Sequence, residues 1–398
     1  MENSAAHLRI VACLDWRYKA ARGIAHGMMR YASTHPHLQF EFVGVHEGAG
    51  ERDDYRRWRP DGIIGDVLSA AGLSAGSTAL DALRIVHRTY PTCRAAVFLH
   101  RSPPRNGPRA IAAGAVLCDH RAVVKAAADL FLRRGLRHVA YVSARVAGRH
   151  YNERAALFAE TARQAGVPVS VYRSAAPGPD WDAEERGLAQ WLRALPKPCG
   201  VMAPFDARAK QVLDVCRAAG ISVPEQVQVC GVDNEEWLCE QTLPSLTSIE
   251  PDFDRGGYLA AETLDALLRG ETAAVSGYGV RGVVERLSTQ DSKGAARIVQ
   301  RAQEFIRMHA AGPICVADLV KEAGCSPSML ERSYRAVLGT TPVRALQEAR
   351  LDRARDLLER TRTPISEIAR LCGLESDSHL KVLFRRRFGR SMRQWRSG

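Results

Sequence analysis

Aspartates recur at one kind of place in this chain, just after a short apolar run: Asp15 after LRIVACL, Asp119 after AVLC, Asp206 after GVMAPF, and Asp233, followed by Asn234, after VQVCGV. A carboxylate at such a turn can accept two hydroxyl hydrogen bonds, and an aromatic ring such as Trp16 or Tyr18 can lie against the apolar face of a pyranose. The set suits a neutral, polyhydroxylated ligand. Aspartate is also a preferred N-cap where a strand turns into a helix, so residue type and spacing leave ligand binding and capping both open. Near the other end a second set is cationic: Arg332, Arg335, Lys381, Arg385, Arg386 and Arg387, interleaved with Ser328, Glu331, Ser378 and His379. On one face of a helix such residues hydrogen-bond base edges and neutralise phosphates.

The elements that must position these residues can be bounded from composition. A chain of 398 residues has room for two or three domains. Its 46% hydrophobic and 25% charged residues fit a folded protein, not a disordered or collagen-like one. No apolar run approaches the roughly 18 residues of a membrane span, and MENSAAHLRIVACLDW lacks the features of a signal peptide. The expected location is the cytoplasm, with no membrane partner. The 10 cysteines form no CxxC pair, which argues against zinc and for small, buried, reduced thiols. No metal or cofactor is expected. Charge divides the chain: from Asp291 to Gly398 there are 21 basic and 12 acidic residues, against 35 and 32 before it. A basic module behind a nearly neutral body suggests a polyanion partner at one end.

In the neutral body, short apolar runs (LRIVACL, PDGIIGD, AAVFLH, GAVLC, RHVAYVS, PVSVYR, PCGVMAP, VQVCGVD, GVVERL) alternate with helical patterns. Strands alternating with helices imply βαβ units and parallel sheets covered on both faces. The length exceeds one core, so the expected architecture is α/β with two sheets facing across a cleft. Ligands of open α/β sheets bind beyond the carboxyl ends of the strands, where the aspartates fall.

From Ile298 the strand signals stop. VADLVKEAGCSPSMLERSYRAVLGTTP and ISEIARLCGLESDSHLKVLFRRRFGRSM form a repeat: Asp318 and Glu367, and Gly324 and Gly373, are 49 residues apart, while Leu330 and Leu380, Tyr334 and Phe384, and Leu338 and Phe388 are 50 apart. Each copy reads as a short helix, a glycine able to take φ > 0 in a tight turn, and a second helix with an apolar stripe at i, i+4, i+8. That is a helix-turn-helix, with the cationic residues on the outer face of its second helix. Between the copies Val343, Leu346, Leu351, Ala354, Leu357 and Leu358 are spaced for one linker helix. About 18 residues at 1.5 Å each span roughly 27 Å, a spacer suited to presenting two recognition helices near the 34 Å repeat of DNA.

The stretches DGIIGD, APFDARAKQVLDVCRAAGISVPEQVQVCGVDNEEW and PSLTSIEPDFDRGGYLAAETLDALLRG resemble the type I periplasmic-binding-protein fold used as sensor in LacI/GalR regulators. The tail ISEIARLCGLESDSHLKVLFRRRFGRSMRQWR resembles the AraC family, with Leu374 and Leu380 where Phe is usual and Met392 where Pro is usual. The combination is similar to xylose-operon activators. LacI regulators carry an N-terminal helix-turn-helix, whereas here the first strand begins by about Leu8, so DNA binding is expected from the other end. The resemblance implies a two-lobed sugar-sensing domain over 1–290 and an all-α domain of two AraC-type helix-turn-helix units over 291–398. It places Asp206 and Asp233 in the sugar cleft, puts Arg154 where an arginine hydrogen-bonds sugar hydroxyls, and extends with looser matches to Tyr18 and Asp119.

The expected function is a sugar-responsive DNA-binding regulator, an activator of a sugar-utilisation operon, taking a pentose such as xylose. Its expected partners are operator DNA, the sugar, a second copy of the chain and, as a further candidate, RNA polymerase. A sugar-processing enzyme that uses the strand-end aspartates as acid and base is the alternative. It lacks a metal spacing, a phosphate loop and a nucleophile motif, and leaves the paired helix-turn-helix units without a role.

Overall fold

A computed structural model of the chain describes residues 7–45, 57–70, 77–104, 106–108, 110–144, 149–174, 181–272, 275–290, 294–374 and 376–396. The chain packs as two compact units. One takes in the chain up to Ile221 with Val227–Cys239 and Thr247–Glu285; the other takes in Ser222–Gln226, Glu240–Leu246 and the chain from Arg286 onward. The expected boundary after residue 290 abuts 291–293, which lie outside the described residues.

The first unit runs β1 (Leu8–Leu14), α1 (Lys19–Ala32), β2 (Leu38–Gly44), β3 (Gly62–Gly65), α2 (Val67–Ala70), α3 (Ala79–Thr89), β4 (Ala95–Phe98) and β5 (Ala112–Cys118). It continues with α4 (His120–Arg133), β6 (Val139–Val142), α5 (Arg149–Gln164), β7 (Val169–Tyr172), α6 (Trp181–Ala194), β8 (Cys199–Met202), α7 (Asp206–Ala218), β9 (Val227–Val232), α8 (Glu236–Gln241) and β10 (Thr247–Pro251). It closes with α9 (Phe253–Leu268), β11 (Ser276–Tyr278) and β12 (Val280–Val284). These strands form two six-stranded sheets, ordered β11-β5-β4-β3-β1-β2 and β12-β10-β9-β8-β6-β7. The central strands are apolar throughout because helices cover both faces; β3, β4, β6 and β8 are buried at every position.

The second sheet departs from the all-parallel expectation, since β12 pairs antiparallel with β10. The reason lies in the path of the chain. β11 runs parallel to β5 and ends at the cleft, a single residue carries the chain across, and β12 must then run away from the cleft. Strands β2, β10 and β11 were also not legible in sequence. β2 is an edge strand that turns Gln39 and Glu41 to solvent, and in β10 the polar Thr247 and Ser248 are fully buried between neighbouring strands.

Helices α1 and α9 meet so closely that a Cβ added at Gly27 would lie 1.9 Å from Asp254 O, and one at Gly257 1.8 Å from Ile24 O. Only glycine permits that approach, and it lets Ile24, Met28, Ala260 and Leu264 close one core face of the first sheet. Most cysteines are buried free thiols as expected. Cys118 and Cys325 are half-buried, and Cys315 is exposed where it precedes a helix in the tail.

The second unit is helical: α10 (Ala295–His309), α11 (Val316–Ala323), α12 (Pro327–Leu338), α13 (Pro342–Arg360), α14 (Ile365–Leu371), α15 (Asp377–Phe388) and α16 (Met392–Arg396). Within it Arg297 and Arg307 donate to the carbonyls of Leu287 and Glu240, and Ser288 N donates to Ser245 O at 2.8 Å. Both turn glycines take the left-handed conformation, Gly324 at φ 63 and Gly373 at φ 67. Ser326 and Ser376 cap the helices that follow, each accepting a backbone N–H at 3.3 Å. Leu330 and Tyr334 fill one core with Leu319 and Ile306, while Leu380 and Phe384 fill a second with Ile368 and Leu358. The third stripe positions differ: Leu338 is 42% exposed, since the helix ends there, and Phe388 is only partly buried. On the linker helix Leu346, Leu351, Ala354 and Leu358 face inward as expected, but Val343, in the first turn, is exposed.

Candidate functional site

Three chain crossings join the lobes of the first unit, after β5, β10 and β11. Asp119 N donates to Tyr278 O at 2.8 Å and Asp252 N to Gly279 O at 2.9 Å, so the crossings are tied together. Strands of both sheets end at this hinge, which puts the side chains that follow them in the cleft.

Arg154, on α5, is 5% exposed. Its Nη1 donates to Pro204 O at 2.5 Å and its Nε to His120 Nδ1 at 3.2 Å. An imidazole that accepts at Nδ1 carries its proton at Nε2. Burial, followed by the Arg154 charge, pushes His120 down to about 4, so it is neutral at pH 7. Asp233 follows β9 with φ +100 and Asn234 with φ +50, a backbone conformation uncommon outside glycine that clusters at functional sites. Burial raises the Asp233 carboxyl above its ordinary range; Arg154 draws it back and Glu235 pushes it up again. Tyr278 is buried beside them, its hydroxyl raised well above the ordinary value by burial.

The other sequence-derived residues have different surroundings. Asp206 is 2% exposed, and both its oxygens are engaged: Oδ1 accepts from Ser248 Oγ at 2.5 Å and Oδ2 from Glu235 N at 2.7 Å. Burial, then the Asp233 carboxylate, pushes it up to about 8. Asp119 is the N-cap of α4, its Oδ1 accepting from Ala122 N at 3.0 Å. Tyr18 stands at the N-cap position of α1 with its ring 52% exposed and the Arg17 guanidinium 5.5 Å from its centre. Asp15 is taken up by Arg17, with N–O distances of 2.6 and 2.9 Å.

Electrostatics therefore bring Arg154, Asp206 and Asp233 together, with Asp119 next to His120 at the hinge. Sequence reasoning missed His120 and Tyr278, and also His100, which follows β4 among Asp66, Arg101 and Asp15 and is pushed down by desolvation. The signal for His100 was available, since it falls just past the strand AAVFLH, whereas Tyr278 ends β11, a strand the apolar pattern does not mark. Among the described residues no group of His, Cys, Asp and Glu is arranged to hold a metal ion, and no helix is long and apolar enough to cross a membrane.

A second cluster ties the lobes directly. Lys19, on α1 of the first lobe, donates from its backbone N to Glu235 at 2.7 Å and from Nζ to Glu250 at 3.0 Å and Glu236 at 3.2 Å, while Arg22 donates to Glu235. Glu235 in turn holds Asp206 through its own N–H.

On the helical unit, Ser328, Arg332 and Arg335 on α12 and Ser378, His379, Lys381, Arg385, Arg386 and Arg387 on α15 are exposed, with Glu331 half-buried. Two cations are partly neutralised within their own helices: Arg335 is bonded to Glu331 at 3.0 Å and Lys381 to Asp377 at 2.6 Å. Arg387 lies 5.4 Å from the Phe388 ring. The outer faces are less polar than expected, since Met329 and Val382 are also exposed on them.

A hinged two-lobed cleft and a tail with two capped helix-turn-helix units define a ligand-responsive transcription regulator. Comparison with known proteins agrees: residues 128–289 match the periplasmic binding protein-like domain and residues 319–398 a helix-turn-helix domain. The chain is similar to the xylose operon regulatory proteins. It is 29% identical to that of Haemophilus influenzae over 286 residues, covering 71% of this chain and 74% of that one. It is 32% identical to that of Escherichia coli K12 over 229 residues, covering 57% and 58%. A solved structure of a xylose-binding transcription activator has the same fold across 98% of this chain and 97% of that one, with a TM-score of 0.59 at 24% identity.

Proposed function

We propose that the chain is a cytoplasmic, dimeric activator of a sugar-utilisation operon that binds a pentose, xylose above all, in the cleft and operator DNA through its tail. The observation that carries this reading is the grouping of Arg154, Asp233, His120 and Tyr278 at the hinge of a chain that ends in two helix-turn-helix units. A guanidinium, a carboxylate, a neutral imidazole and a phenol supply donors and acceptors matched to several hydroxyls without a net charge on the ligand. Within this reading Arg154 and Asp233 contact the sugar, and Tyr18 covers it from the first lobe. Asp206 is a positioning residue that holds the loop carrying Asp233, and Asp119 positions α4.

On DNA, the N-terminal part of each recognition helix, with Ser328, Glu331, Arg332, Ser378, His379 and Lys381, faces base edges. Arg335, Arg385, Arg386 and Arg387 lie further along, toward phosphates. Sugar binding shifts a population: the closed cleft favours one arrangement of a dimer over another, because only differential affinity for two states can move an equilibrium. Residues 1–290 act as sensor and 291–398 as DNA-binding domain, with RNA polymerase as the further partner of an activator. Nothing in this scheme requires turnover, and sugar is recovered unchanged.

Titrating the full chain with xylose, other pentoses and hexoses tests the proposal. Asp233→Ala removes hydrogen bonds to a charged group, worth about 1.5 to 3 kcal/mol each, so xylose binding weakens at least about tenfold while the fold persists. Unchanged affinity in that variant, or conversion of the sugar by wild type, overturns the reading.

A further inference from the structure

The recognition helices α12 and α15 are related by the 50-residue offset that pairs Leu330 with Leu380 and Tyr334 with Phe384, all fully buried. The same offset on the outer faces pairs Ser328 with Ser378, Arg335 with Arg385, and Arg332 with Val382. One unit thus carries an arginine where the other carries a valine. Val382 is 66% exposed, the highest value among the exposed large hydrophobics of the described residues. Local structure gives no reason for it: a β-branched residue is a weaker helix former than arginine, and an exposed one gains nothing from packing. Ser378 lies one turn before it, and Arg385 and Arg386 one turn after. A hydroxyl and two cations around an apolar tip match the major groove, where phosphates flank base edges and the thymine C5-methyl is the apolar group on display.

We infer that Val382 is a specificity-determining residue that reads a thymine methyl. The two units of one tail then read DNA by different chemistry, Arg332 by hydrogen bonds to a guanine and Val382 by apolar contact. This rests on the proposal that α12 and α15 are the DNA-reading helices, and it adds which base class each prefers.

The test uses the full-length protein and duplexes selected by it from a random-sequence pool, each remade with deoxyuridine in place of thymidine. Loss of one buried methyl, at about 0.8 kcal/mol, weakens wild-type binding about fourfold. Val382→Ala, a substitution that favours the helix, binds both duplexes alike, whereas Arg332→Ala keeps the difference. Wild type binding both duplexes equally, or Val382→Ala discriminating as wild type does, overturns the inference while salt-dependent DNA binding leaves the tail's role standing. Absence of salt-dependent binding to any duplex overturns both.

Discussion

Asp206 shows how one buried carboxylate links the site to stability. It holds its proton up to about 8, against an ordinary 3.8. Between those values the folded chain keeps a proton that the unfolded chain has lost. Its contribution to stability is therefore fullest below about 4 and is lost as pH rises toward 8. Asp206→Asn removes that slope, so the melting temperature should fall less between pH 5 and pH 8 than in wild type; a variant with the wild-type slope would show that Asp206 ionises normally. The carboxamide keeps one acceptor oxygen for Glu235 N and sets a donor toward the Ser248 hydroxyl, as the protonated acid does, so it tests the proton rather than the packing. His120 cannot produce this trend. Its pKa is depressed to about 4 from 6.5, and a depressed base stabilises the fold as pH rises through that window.

At the scale of the element, the recognition helices divide their work by position along the axis. Arg332 lies in the second turn of α12, on the face away from the buried Leu330 and Tyr334. Arg387 lies in the last turn of α15, where the helix is expected to leave the groove. Arg332→Ala should weaken binding to a selected site more than to random duplex, by about 1 to 3 kcal/mol of discrimination. Arg387→Ala should weaken both alike and lower the salt slope by about one. Gel-shift titrations over a range of salt separate the two. Equal losses for Arg332→Ala together with altered sequence preference for Arg387→Ala would reverse the docking.

For the molecule as a whole, the Lys19 Nζ bonds to Glu236 and Glu250 join the two lobes and are expected to favour a closed arrangement. Lys19 and Glu250 are only 21% and 17% exposed, so this contact is not the weak, fully solvated kind. Lys19→Gln weakens it and lowers the closed fraction. Apparent sugar affinity falls in proportion to the competent population, and small-angle scattering of the free protein should give a larger radius. Scattering and affinity both equal to wild type would show that closure does not depend on this cluster.

What the sequence by itself determined is whatever depends on local period and residue type. Apolar runs marked the buried strands, because a strand covered on both faces has no polar position to disguise it. The 49- and 50-residue offsets marked the two helix-turn-helix units, because each must fill its own small core with the same stripe and turn on the same left-handed glycine. The strand-end rule brought out Asp206 and Asp233 for the same reason. Tertiary structure decided the rest. Whether an aspartate caps a helix, holds a loop or faces a cleft depends on partners far along the chain: Asp119 finds Ala122 nearby, but Asp206 finds Glu235 and Ser248 only once β9 and β10 lie beside each other. Strand β10 was hidden because its polar residues are buried by neighbours, and β12 runs backwards because the chain crosses the hinge a third time. Arg154 came from resemblance, and its pairing with His120, 34 residues away, exists only where α4 and α5 pack together. Local pattern records which face of an element is apolar; which polar groups meet is settled by long-range packing, and the cleft is made of such meetings.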